Sequence, residues 1–104
     1  MRKGTLEYIV LLVISKGEIY ASDILELLKK DNLLVVEGTL YPLLSRLKQA
    51  ELVAYVWRES ASGPPRKYYQ LTEKGKATLK QLTQTWQGLA KSINSLIKKH
   101  AQDN

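Results

Sequence analysis

The last third of the chain reads as one unbroken helix, and that helix is too long for the rest of the molecule to cover. From Glu73 to about Lys99 no loop-forming cluster interrupts it, and Leu79, Leu82, Trp86, Leu89, Ile93 and Leu96 recur at steps of 3, 4, 3, 4 and 3 residues. That is an a/d seam sustained for about two and a half heptads. At 1.5 Å per residue such a helix is roughly 40 Å long, whereas 104 residues make one domain with a single small core. The proximal part of the seam can fold back onto the first helix of its own chain. The distal part is expected to meet a second copy, the simplest source of a matching surface. Thr72 is placed to cap the start, and Glu73 puts a carboxylate in the first turn, where the helix dipole favours it.

The remaining chain supplies that small core. Leu6, Ile9, Val10 and Val13 recur at i, i+3, i+4 and i+7 in a helix from Thr5 to Ser15, and Leu11, Leu12 and Ile14 make it apolar nearly all round. It should therefore be largely buried. Gly17, after Lys16, suits a left-handed cap. A second helix spans about Ala21 to Lys30, with Ile24, Leu27 and Leu28 facing inward. Leu33 to Val36 is an apolar connector into a third helix that runs to about Ala50. Pro42 lacks an N–H and crowds the turn before it, which limits where this helix begins. Thr39 as N-cap would place Pro42 where no intrahelical bond is lost, whereas a start at Glu37 would set Gly38 four residues before it, with no side chain to add to the crowding. Leu52 to Arg58 is rich in β-branched and aromatic residues and reads as a strand. Glu59 to Pro65 reads as a loop of about seven residues, and Arg66 to Leu71 as a returning strand.

The third helix has an unusual outer face. Leu40, Leu43, Leu44 and Leu47 form its apolar stripe, and from Gly38 to Ala50 there is no acidic residue. Thr39, Tyr41, Pro42, Ser45, Arg46 and Lys48 lie on or near the other side, a mixture of hydroxyls, an aromatic ring and two cations that suits a DNA groove. An ordinary surface helix, the bland alternative, usually carries glutamates there. Around the hairpin loop, Arg58, Arg66 and Lys67 stand against one acid, Glu59, placing cations where they can reach phosphates. Tyr68 and Tyr69 must point to opposite faces, one into the core. The net charge of +6 is a weaker argument, because residues 1–70 hold ten basic and eight acidic groups and most of the surplus lies in the last helix.

Three helices, a hairpin and a trailing helix define the expected fold: mostly α with a small β-hairpin (α+β), a winged helix–turn–helix over residues 1–71 and a long coiled-coil-like dimerisation helix over 72–104, joined as one compact unit. The residues that carry this reading also resemble a known family. The run Gly38-Thr39-Leu40-Tyr41-Pro42-Leu43-Leu44-Ser45-Arg46-Leu47, followed by Gly63-Pro64 and by Arg66-Lys67-Tyr68-Tyr69-Gln70-Leu71-Thr72-Glu73-Lys74-Gly75, is similar to the PadR family of transcriptional regulators over nearly the whole chain. The single C-terminal helix resembles the short branch of that family, whose members are homodimeric repressors. The resemblance implies that Thr39, Tyr41, Pro42, Ser45 and Arg46 approach bases or phosphates, with Lys48 further along the backbone and Lys67, helped by Arg66, serving the wing. The opening of the second helix, Tyr20 to Ile24, departs from the family's usual run, so no contact is carried over to Ser22.

The resulting expectation is a sequence-specific regulator that binds double-stranded DNA as a homodimer, repressing from a palindromic operator through an interface of Leu79, Leu82, Trp86, Leu89, Ile93 and Leu96. Multidrug-sensing members of the short branch carry a tryptophan on the last helix lining a pore, and Trp86 matches that place. The resemblance therefore implies release by a planar aromatic effector, or by a stress signal, with Trp86 as the ligand-binding residue; simple seam packing of Trp86 is the alternative. Lys80 and Lys91 nearby disfavour a cationic ligand. Rival functions are a winged-helix module that docks an acidic protein and an architectural DNA binder that needs no ligand. Enzymatic activity is not expected. The chain has no cysteine, one histidine (His100), no clustered carboxylates and no phosphate-cradling glycine loop. No catalytic residue, metal site or cofactor is assigned, and the apolar run Tyr8 to Ile14 is far shorter than the roughly 20 residues of a membrane span, so a cytoplasmic protein without membrane partners is expected.

Overall fold

A computed structural model of the chain describes residues 3–103. Its elements are α1 (Lys3–Ile14), β1 (Ile19–Tyr20), α2 (Ala21–Lys30), α3 (Glu37–Gln49), β2 (Val53–Ser60), β3 (Gly63–Leu71) and α4 (Glu73–Asp103). The strands form one antiparallel sheet in the order β1-β3-β2. The core lies where the stripes of the first three helices converge on the base of this sheet. Leu6, Val10, Leu11 and Ile14 of α1 meet Ile24 and Leu28 of α2, Leu40, Leu43, Leu44 and Leu47 of α3, and Val53 and Tyr69 of the sheet. Of the adjacent tyrosines, Tyr69 is the buried one and Tyr68 stays half-exposed. The expected all-round burial of α1 is incomplete within one chain: Leu12 remains 38% exposed.

The helix ends follow local backbone chemistry. Gly17 takes a φ of 136°, a conformation that L side chains rarely adopt. After α2, Asn32 adopts the left-handed conformation (φ 63°) while its N–H donates to the Lys29 carbonyl and that of Leu33 donates to the Leu28 carbonyl, which is a Schellman closure. After α3 the same pattern recurs with Glu51 (φ 62°), the Glu51 N–H donating to Lys48 and the Leu52 N–H to Leu47. At the other end of α3, the N-cap is Val36, not Thr39: the N–H groups of Thr39 and Leu40 both donate to the Val36 carbonyl at 3.0 Å. Pro42 thus lies inside the helix. Because it has no N–H, the Gly38 carbonyl loses its partner four residues on, and Gly38 itself leaves open space where a side chain would stand.

Two expectations for the hairpin are corrected. The loop contains only Ala61 and Ser62, and Gly63 to Pro65 belong to β3. Arg58 pairs with Arg66 and Ser60 with Gly63, so Pro64 and Pro65 together oppose the single residue Glu59. That bulge is one of the few places in a ladder where prolines are tolerated. The hairpin also has a third partner. Ile19 and Tyr20 pair with Tyr69 and Tyr68, a strand of two residues and too short for an alternating pattern to reveal.

α4 begins as expected and runs four residues beyond Lys99, to Asp103. Thr72 Oγ1 accepts from the Gly75 N–H at 2.9 Å and donates to the Glu51 carbonyl at 2.6 Å, while Lys74 Nζ donates to the Ala50 carbonyl at 3.0 Å. The first turn of α4 therefore caps the last turn of α3, and a methyl on Gly75 would overlap the Leu52 carbonyl. Leu79 and Leu82 pack against the core. Further on, Tyr8 donates to Thr83 Oγ1 at 3.0 Å and stacks on Trp86 with centroids 5.7 Å apart and planes 7° from parallel. Past Trp86 the seam is bare: Leu89, Ile93, Leu96 and Ile97 are all exposed.

Candidate nucleic-acid interface

α3 sorts its residues as its pattern requires. Leu40, Leu43, Leu44 and Leu47 are buried, and Thr39, Tyr41, Pro42, Ser45, Arg46 and Lys48 are all exposed. The leucine stripe glues the helix to the core and fixes which side turns outward. The sheet lies against one flank of this outer face. Tyr55, Trp57, Lys67 and Tyr69 share one side of the hairpin, since Tyr55 pairs with Tyr69 and Trp57 with Lys67. The Tyr55 ring stands between two lysines from different elements: Lys48 Nζ is 5.0 Å from its centroid and Lys67 Nζ 4.2 Å. Lys67 also lies 5.5 Å from the Trp57 ring, and Arg66 sits 4.9 Å above Tyr20. Each cation is thus held by an aromatic face while its N–H donors stay available.

Tyr41, on the exposed side of α3, completes a cleft of about 240 Å³ with Arg66 and Lys67. Loss of hydration, with a smaller contribution from Glu37, raises its phenol above the ordinary tyrosine value, and the hydroxyl is a donor available to an anion. Burial likewise raises Tyr69, with help from Tyr55.

The structure withdraws one cation that the sequence counts for the wing. Arg58 Nε and Nη2 donate to the two carboxylate oxygens of Glu18 at 2.9 and 2.6 Å. The Arg58 hydrogen bond pulls the Glu18 carboxyl below the usual range, and Glu18 in turn raises Arg58. Glu18 lies 40 positions away, and only the short strand β1 brings it alongside. The aromatic supports Tyr20, Tyr55 and Trp57 were not among the expected site residues. The alternation that puts Tyr55 and Trp57 on one face with Lys67 was readable, but their position beside α3 was not. Among the described residues no three His, Cys, Asp or Glu side chains gather to hold a metal, and no helix is long and apolar enough to cross a membrane.

Three helices with the third presented outward, a hairpin wing at its flank and a long trailing helix define a winged helix–turn–helix protein. The chain belongs to the transcriptional regulator PadR-like family, whose profile matches residues 10–81. It is 53% identical to a PadR-like transcription factor of Bacteroides fragilis, with a TM-score of 0.82 over 92% of this chain and 93% of that one. A PadR-like transcriptional regulator of Bacillus cereus is 36% identical, with a TM-score of 0.81 over 91% and 93% of the two chains. Bacillus subtilis PadR, solved in complex with operator DNA, shares the fold at 23% identity, with a TM-score of 0.72 over 80% of this chain and 48% of that one.

Proposed function

We propose that this PadR-like regulator binds operator DNA as a homodimer and represses transcription from a palindromic site. The convergence of Tyr41 from α3 with Arg66 and Lys67 from the wing on one cleft carries the reading, because it turns two separately weak basic elements into one surface that a DNA backbone can follow. α3 enters the major groove. Thr39, Tyr41, Pro42, Ser45 and Arg46 face bases and phosphates, Lys48 lies further along the backbone, and Arg66 and Lys67 hold the flanking strand. That the structurally similar Bacillus subtilis PadR was solved in complex with operator DNA supports the DNA-binding reading. A second copy covers Leu89, Ile93 and Leu96 and sets the two recognition helices about one DNA turn, roughly 34 Å, apart.

Selection of duplexes from a random pool, followed by anisotropy titration across salt, tests the reading. Affinity falls steeply with salt, and Arg46→Ala weakens binding by about 1–3 kcal/mol and relaxes sequence preference at one position. Binding that ignores both salt and Arg46 would leave the protein-docking module as the better account.

For the effector, the outer face of Trp86 is the proposed seat of a neutral or anionic planar aromatic compound, which releases the DNA. Tyr8 already covers the inner face, and the ring remains 36% exposed. In a Trp57→Phe background such a ligand quenches Trp86 and lowers operator affinity. A panel of planar compounds that leaves both unchanged reduces Trp86 to a packing residue.

A further inference from the structure

Trp57 is a large apolar ring left 62% exposed on strand β2. Its place in the sheet explains what lies beside it. β1 ends at Tyr20, opposite Tyr68, so the outer edge of β3 from Lys67 back to Gly63 has no neighbouring strand. At that corner the chain turns into α2 and leaves a cleft lined by Trp57, Tyr41, Arg66 and Lys67, with Tyr20 beneath Arg66. No residue lining it is acidic. Its volume of about 240 Å³ falls below the roughly 300–1,000 Å³ of pockets that enclose drug-sized ligands. Its chemistry is an indole face next to two cations and a phenol donor. The cations are pre-placed on the Tyr20, Tyr55 and Trp57 rings, so less side-chain entropy is lost when an anion arrives. An occupant that joins a compact ring to an anion through a short link matches every wall.

We propose that this cleft seats one deoxyribose-phosphate unit of the DNA strand passing between α3 and the wing, its phosphate held by Arg66, Lys67 and the Tyr41 hydroxyl and its sugar laid on the Trp57 indole. The proposal rests on the DNA-binding reading above and adds to it Trp57, an uncharged residue that positions the backbone by packing. Lys67 supplies the charge at this contact; Trp57 supplies the surface against which the strand is registered.

The two roles separate experimentally. In a Trp86→Phe protein, Trp57 is the sole indole, and acrylamide quenching reports its exposure directly. With a labelled duplex enriched by the protein from a random pool, anisotropy measures binding while quenching measures the cleft. Duplex binding shields Trp57 and cuts its quenching constant by about half or more, and Trp57→Ala weakens duplex binding by about tenfold, near the low end of what an aromatic side chain contributes to one stacked base. Its salt slope stays that of the parent, whereas Lys67→Gln lowers the slope by about one. Should Trp57→Ala fail to fold, the quenching measurement decides without any substitution in the cleft. Duplex binding with Trp57 as accessible as in the free protein overturns the proposal and leaves the DNA reading intact. Equal shielding by polyglutamate overturns it in favour of an acidic protein segment, and absence of duplex binding overturns both.

Discussion

Gly75 and Glu18 show how single residues fix the geometry on which the proposed binding depends. Gly75 lies in the first turn of α4 against the Leu52 carbonyl, closely enough that a Cβ has no room. Gly75→Ala must push α4 away from the β2 entry and strain the Thr72 bonds, an overpacking cost of about 1–3 kcal/mol, measurable as a lowered midpoint in denaturant. Glu18 acts through charge. Its folded carboxyl is held below the ordinary 4.5 by the Arg58 hydrogen bond, so the stabilisation it contributes is present above that value and fades as pH falls through the lowered folded value. A carboxyl-detected NMR titration should show Glu18 titrating below 4.5, and Arg58→Ala should return it to the ordinary range. Both residues are plain in the sequence, but neither role is, since Leu52 and Arg58 are brought to them by the fold.

α3 and the hairpin are each amphipathic elements whose polar faces carry the proposed function. The α3 stripe was legible because leucines at helical spacing have one physical solution, and so was the acid-free outer face. The helix start was open between Thr39 as cap and a start at Glu37. Thr39 is the better capping side chain by type, yet the helix begins at Glu37 with Val36 as its cap. The wing loop was misjudged for a related reason: prolines signal turns in general, and only the ladder shows both of them opposite Glu59 in a bulge. The Arg58–Glu18 pair suggests a gain-of-function test for this element. Glu18→Gln releases a cation on the wing, so duplex affinity at low salt should rise and the salt slope should steepen by up to about one. An unchanged slope in a folded variant would show that Arg58 already spends its charge elsewhere.

Across the whole molecule, α4 is divided by function along its length. Its first part packs in cis through Leu79 and Leu82 and its middle through Trp86 on Tyr8. Its end carries a leucine and isoleucine seam into solvent, with Leu96 64% exposed. The molecule measures 60 × 27 × 21 Å, an elongation that a single chain of this size does not need for its core. Sedimentation should find two chains at micromolar concentration, and Leu89→Glu should give a folded monomer with weak operator binding, because one recognition helix with two cations cannot match a paired site. A wild-type monomer would remove the basis for the dimer.

What the sequence determined by itself is everything with a local cause: the helices and their inner stripes, the Thr72 cap, the acid-free face of α3, the heptad spacing of α4 and the family boxes. Periodicity and capping act over a few residues, and a reader of the chain sees those residues together. What tertiary structure alone decided is which side chains meet: Glu18 with Arg58, Tyr8 with Trp86, Lys48 and Lys67 on one Tyr55 ring, and Tyr41 and Trp57 as linings of one cleft. Those encounters join residues far apart in sequence, and they follow from packing the α1, α2 and α3 stripes against one sheet, which no local pattern encodes.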